Sequence, residues 1–225
     1  MIKEKLKRGS ILYKIYLVYH LFLRYKIFLR KRKSFSQFGE DIFINEFFKD
    51  KDNGKYVDLG AFHPMRLNNT YLLYKRGWTG TNIDLNPTSI DMFNMVRKKD
   101  HNICSLISDK EGEKKIAYFQ HDWSAGNTTI LDQDFKKVLS KEKAMISETF
   151  ENLITHDFDF LNIDLEGHDY AVLKTIDFKK YNPKLICIEI LAKSKDNKKI
   201  FKHMEENNFI FIKNCDVSYF FKKAD

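Results

Sequence analysis

Three apolar runs in this chain each stop on a carboxylate. Tyr56–Ala61 reads YVDLGA, Thr81–Pro87 reads TNIDLNP and Phe160–Gly167 reads FLNIDLEG. Each is long enough for a buried strand and is broken at once by Gly or Asn-Pro. Near-continuous apolar strands belong to parallel sheets covered on both faces. The pattern therefore predicts Asp58, Asp84 and Asp164 along one sheet edge. In open α/β sheets the carboxyl edge is where ligands bind. An acidic edge suits a ligand with positive charge and hydroxyls, and suits a pyrophosphate badly.

The rest of the chain alternates in the same way. Helices are expected over Ser36–Phe48, Thr70–Lys75, Ser89–Lys98, Ser140–Thr155, His168–Ile176 and Lys198–Asn207. Strands are expected over Tyr56–Leu59, Thr81–Leu85, Asn102–Ile107, Phe160–Ile163 and Lys184–Ile190, with a final hairpin of Phe209–Lys213 and Val217–Phe221. Strand-then-helix units closed by a hairpin indicate a doubly wound, mostly parallel α/β sheet with an antiparallel C-terminal end. Lys115–Leu131, with its turn-rich HDWSAGNTT, reads as an inserted loop or hairpin. Trp123 within it serves either to stack on an acceptor or to plug the insertion.

Charge bears on which partners are plausible. The chain carries a net +8, but residues 1–33 hold eleven Lys or Arg and one Glu, a net +10. That leaves −2 for residues 34–225, too little positive charge for a nucleic-acid face. Two units follow: a basic amphipathic extension over 1–33 and a globular domain over 34–225. Ile11–Leu29 is apolar at helical spacing but interrupted by Lys14, His20, Arg24 and Lys26, so it is too charged to span a bilayer. It reads either as a helix on an anionic membrane surface or as one packed on the domain or on a second subunit. Cys104, Cys187 and Cys215 are odd in number and widely spaced, which supports no disulfide framework or zinc site. Cys104 and Cys187 lie in strand-like runs and are expected to be buried thiols in a reducing, cytoplasmic setting, at most at the inner membrane surface.

Asp84 follows Gly60 by 24 residues, near the spacing at which an acid holds ribose hydroxyls. The turn DLGAFHP has one glycine where a dinucleotide fold needs several, so NAD and FAD are disfavoured. S-adenosylmethionine fits better: its ribose diol suits Asp84, and its ammonium and sulfonium charges suit Asp58 and Asp164.

Six motifs occur in an order that resembles the FkbM family of methyltransferases. They are SQFGED (Ser36–Asp41), YVDLGAFHP (Tyr56–Pro64), NNTYLLYKRGW (Asn68–Trp78), NIDLNP (Asn82–Pro87), FLNIDLEGHDYAVL (Phe160–Leu173) and PKLICIEI (Pro183–Ile190). The resemblance implies a class I, Rossmann-like fold, S-adenosylmethionine as donor, and O-methylation of a hydroxyl on a sugar, a surface polysaccharide or lipopolysaccharide precursor, or another natural product. It implies that Gln37 and Glu40 close over the cofactor and that Asp58, Gly60, Ala61 and His63 form its main loop. Asn69 and Thr70 would lie beside the methionine moiety, Asp84 at the ribose and Asp109 near the adenine, with Asn86 also among the cofactor-binding residues. Asp84 and Asp169 stand where the family more often has Glu.

Asp164, Glu166 and His168 cluster just past the fourth strand and are the candidates for the catalytic base. The alternative role for Glu166 and His168 is to cap the helix that follows. Glu189 could join Asp164 in holding Mg²⁺ or Mn²⁺, although no metal is assigned. A non-catalytic cofactor-binding interaction module is the rival reading, and self-association is left open.

Overall fold

The structure is a computed structural model and describes residues 6–24, 32–118, 129–130, 141–192 and 194–224. Its first elements are α1 (Ile11–Val18), a π-helical turn (Tyr19–Leu23), α2 (Glu40–Phe47), β1 (Lys55–Leu59), α3 (Tyr71–Lys75), β2 (Thr79–Asp84), α4 (Pro87–Val96) and β3 (His101–Cys104). The middle holds β4 (Leu106–Ile107), β5 (Gly112–Tyr118), β6 (Thr129–Ile130), β7 (Lys141–Glu148) and α5 (Phe150–Leu153). The chain ends through β8 (Phe160–Ile163), α6 (Asp169–Leu173), β9 (Leu185–Glu189), α7 (Asn197–Glu206), β10 (Phe209–Cys215) and β11 (Ser218–Lys223).

Seven strands form the main sheet in the order β10-β11-β9-β8-β1-β2-β3. β3, β2, β1, β8 and β9 run parallel, while β11 is antiparallel to both β9 and β10. The order reverses between β1 and β8, which sets the ligand crevice at the carboxyl ends of those two strands. Alternation along each strand divides the core between the faces. Val57, Leu59, Leu161, Ile163, Ile186 and Ile188 pack under α6 and α7 against Val172, Leu173, Ile200 and Met204. Tyr56, Phe160, Leu185 and Cys187 face the other way, onto Ile44, Phe48, Leu73 and Trp78. Gly80 lies level with Tyr56, and a Cβ there would fall 2.2 Å from the tyrosine ring, so the Tyr56 ring lying across β2 requires glycine.

The doubly wound sheet and its antiparallel end are as expected, but three local expectations fail. Ser140–Thr155 is not a helix: Lys141–Glu148 is a strand that pairs with β5 over seven positions, and only Phe150–Leu153 is helical. KEKAMISE is rich in helix formers, and cross-strand pairing overrides that weak preference. The third strand does not run unbroken over Asn102–Ile107. Ser105 donates its N–H to the Asp84 carbonyl at 3.1 Å, and the chain then leaves for a second sheet of order β4-β7-β5-β6. Cys104 is exposed because β3 is the edge of the main sheet; Cys187 is buried, and all three cysteines are free. Lys115–Leu131 does contribute β5 and β6, whereas Trp123 lies outside the described residues.

Candidate active site

Register shows that the three acidic runs are not equivalent. Asp58 pairs with Asn82 on one side and Asn162 on the other. One level further, past Leu59, Ile83 and Ile163, come Gly60, Asp84 and Asp164, with Glu189 beside Asp164 on β9. The two NIDL runs therefore match each other and flank β1 symmetrically. Asp58 does not lie on the edge with Asp84 and Asp164, as the pattern suggested. It belongs to a polar layer beneath that edge, on the same face of the sheet.

In that layer Asp58 is 1% exposed and fully engaged. Asn162 Nδ2 donates to one carboxylate oxygen at 2.8 Å, and Thr70 Oγ1 and Asn68 Nδ2 donate to the other at 2.9 and 3.2 Å. Burial pushes its pKa up, while the Arg97 charge and these donors pull it down. Arg97, wholly buried, ties the layer to the loop above. Its guanidinium donates to the Pro64 carbonyl at 2.9 and 2.8 Å, to Thr70 Oγ1 at 2.7 Å and to Asn68 Oδ1 at 2.5 Å. It also lies against the rings of Tyr71, Tyr74 and Phe93. Sequence reasoning missed Arg97, Asn68 and Asn162. The asparagines were legible as polar residues inside or beside buried strands; Arg97 opens an RKKD run that reads as a solvated face.

The upper level is a cluster of acids around a glycine. Gly60 has φ +76°, and a Cβ there would lie 1.8 Å from the Asp164 carbonyl oxygen, so only glycine lets β1 and β8 close up at this point. Asp84 accepts the N–H of Asn86 at 2.7 Å and of Phe62 at 2.8 Å, one on each oxygen. Burial still pushes its pKa up to about 6. Asp164 keeps solvent access and is crowded by protein atoms on its other sides. That partial desolvation, with the charges of Glu189, Asp169, Glu166 and Asp58 around it, lifts its pKa well above the carboxylate range. Glu189 is pushed up to about 8 and Glu166 to about 7, by burial first and by neighbouring acids second. Glu189 Oε2 is buried and has no hydrogen-bond partner among the described residues.

The remaining candidates fall around this cluster. Glu166 sits in the β8–α6 turn with φ +52°. His168 caps α6, and its Nε2 is 3.0 Å from Ser108 Oγ. Asp169, pushed up to about 6 by burial, accepts the N–H groups of Leu165 and Gly167 and so shapes that turn. Asn69 donates to Asn162 at 2.9 Å, and Asn86 is the N-cap of α4. Ala61 is buried and its N–H bonds the Ile83 carbonyl. His63 is also buried, accepts the Met65 N–H at 3.1 Å, and is kept neutral by burial with a pKa near 3. Glu40 opens α2, bonded to the Phe38 N–H and to Ser218, which pairs with Glu189. Gln37 is exposed in the preceding bend. Asp109 lies beside Lys114 and Lys174 and accepts from Ser108 Oγ, which also meets His168.

These residues fit S-adenosylmethionine on two counts. Gly60 lets β1 and β8 close up so that Asp84, Asp164 and Glu189 converge at one edge, and the crowded carboxylates are relieved by a cation. Among the described residues no group of three or more His, Cys, Asp or Glu is arranged to hold a metal ion.

The model of the methyltransferase FkbM domain matches residues 58–211. No curated protein matches the chain. Among solved structures it is similar to a TehB-like S-adenosylmethionine-dependent methyltransferase from Corynebacterium glutamicum, at 15% identity over 83% of this chain and 88% of that one, with TM-score 0.46. It is also similar to the Burkholderia thailandensis 1,6-didemethyltoxoflavin-N1-methyltransferase with bound S-adenosylhomocysteine, at 9% identity over 95% and 88%, with TM-score 0.45. Likenesses so distant say nothing of the acceptor. The family match runs from Asp58 through β2, β8 and β9 and so includes Gly60 and the acidic edge described above, and the chain belongs to the FkbM family of S-adenosylmethionine-dependent methyltransferases.

Proposed function

We propose that the enzyme methylates a hydroxyl of a sugar or glycan, such as a precursor of a surface polysaccharide or lipopolysaccharide, in the cytoplasm. One observation carries this reading: Asp164, Glu166 and Glu189 crowd the edge beside Gly60, where burial and mutual repulsion raise their pKa values. An alcohol is a poor nucleophile until its proton is taken, and a base is most effective with a pKa near the working pH. Asp164 and Glu166 are the groups to hold that proton, with His168 behind them. The same carboxylates can accept hydrogen bonds from the several hydroxyls of a sugar, which fixes the attacking oxygen in line. S-adenosylmethionine, when bound, supplies the electrophilic methyl; Asp84 would hold its ribose, and Asp58 with Arg97 keeps the loop under it rigid. Three free cysteines accord with a reducing compartment.

The test is transfer of labelled methyl into sugar nucleotides, glycans, non-sugar alcohols and amines, followed by mass analysis. Label in an ether on a sugar carbon supports the proposal. Label only in amines or non-sugar alcohols overturns it.

A further inference from the structure

We propose that the outward face of residues 11–23 is a docking surface for an anionic lipid bilayer. This segment is apolar on two sides, and the structure accounts for only one. Tyr13, Leu17 and Leu21 are buried against Met65 of the cofactor loop and Met92 of α4. Tyr13 Oη donates to Asp91 at 2.7 Å, and Arg8 holds the same carboxylate through two bonds of 2.6 and 2.7 Å. The segment is therefore fixed to the domain. On its other side Ile11, Leu12, Ile15 and Leu23 are 77, 65, 59 and 64% exposed, with Val18 and Tyr19 beside them. A helix covering a soluble domain ordinarily turns polar residues to solvent.

Charge selects the occupant. Lys7, Lys14 and Arg24 are exposed on or next to this segment, Arg32 and Lys33 are exposed further along the chain, and Glu4 is the one acid in residues 1–33. A second copy would bring one strongly basic segment against another, whereas an anionic leaflet attracts the basic residues while the isoleucines and leucines enter the acyl boundary. No helix among the described residues is long and apolar enough to cross a membrane, so the segment would lie in the interface plane. Its position suits that role. α1 packs on the first half of α4, which starts three residues after Asp84, and on Met65 of the loop that leaves Gly60. The lipid face and the acidic edge are thus neighbours, and an acceptor carried by a lipid would reach the site from the surface on which the enzyme sits.

Full-length protein is sedimented with phosphatidylglycerol–phosphatidylcholine vesicles and with phosphatidylcholine vesicles. Binding at least tenfold stronger to the anionic vesicles, weakening steeply as salt rises from low to several hundred millimolar, is expected. A variant carrying Ile11→Ser, Leu12→Ser and Ile15→Ser should lose at least tenfold in vesicle binding while keeping the wild-type melting temperature and affinity for S-adenosylmethionine. Wild-type protein that ignores anionic vesicles overturns the proposal, as does a triple variant that binds them unchanged. A triple variant that turns a dimer into a monomer, with no vesicle binding by either protein, assigns the face to a second copy instead.

Discussion

Asp58 and Asp164 end near-identical stretches of sequence and live in opposite circumstances. Asp58 is sealed under the sheet edge with three side-chain donors on its two oxygens and a buried arginine behind them. Asp164 stands one level higher with no hydrogen bond to its carboxylate among the described residues and with Glu189, Asp169 and Glu166 repelling its charge. A satisfied buried carboxylate serves structure, because each donor would be costly to strand. One left crowded and open serves a ligand or a proton. The comparison separates stability from chemistry within a single strand pair, and each of the following measurements strains it.

The largest effect is expected on turnover. Asp164→Asn keeps the shape but removes the charge, so kcat should fall about 10²–10⁴-fold, as for loss of a general base, with the melting temperature unchanged or higher. A variant within about threefold of wild type would move the role to Glu166 or His168. Asp58→Ala should do the reverse and act first on folding. It strands Asn68, Thr70 and Asn162 and leaves Arg97 less well compensated, which should cost about 3 kcal/mol in denaturant unfolding. A loss below about 0.5 kcal/mol would show that the lower layer is not structural.

Asp84→Ala should weaken S-adenosylmethionine binding by about 2 kcal/mol, roughly 30-fold, measured by calorimetry, through loss of charged hydrogen bonds. The pH dependence of the ligand-free protein should be smaller. Glu166 and Glu189 have raised folded pKa values, near 7 and 8, so the native state holds protons that the unfolded chain has released. Stability is then lost as pH rises through those values. Between pH about 6.5 and 8.5 the expected loss is on the order of 1–2 kcal/mol, or roughly 2–8 °C in melting temperature. Asp91 and Asp109, held below the usual carboxylate range, act only in acid. His63 and His203, whose pKa values are lowered, destabilise only below about pH 6.5.

Much of the sheet and its acidic edge could be read from sequence because buried parallel strands announce themselves as apolar runs with sharp ends. Phe160–Ile163 is a strand over the expected residues, and Asp84 and Asp164 reach the edge as anticipated. What could not be read is which level of the sheet each acid occupies. YVDLG and IDLEG align by eye on Asp-Leu, but pairing sets Asp58 against Asn162 and Asp164 beside Gly60, a shift of two residues that only neighbouring strands impose. β7 was missed for a related reason: its ladder with β5 is a long-range contact, and its own residues favour helix. Arg97 was hidden because sequence shows its charged neighbours and not the aromatic rings and carbonyl that enclose it.

The central claim is that the crowded acids around Gly60 receive a cationic methyl donor. Calorimetric titration of the full-length enzyme with S-adenosylmethionine at pH 8 and at pH 6 tests it most directly. Protonation of Glu166 and Glu189 at the lower pH removes attraction for the sulfonium and ammonium groups, so affinity should fall about tenfold from pH 8 to pH 6. Affinity that is unchanged or stronger at pH 6, or no binding at millimolar ligand at either pH, would contradict the account.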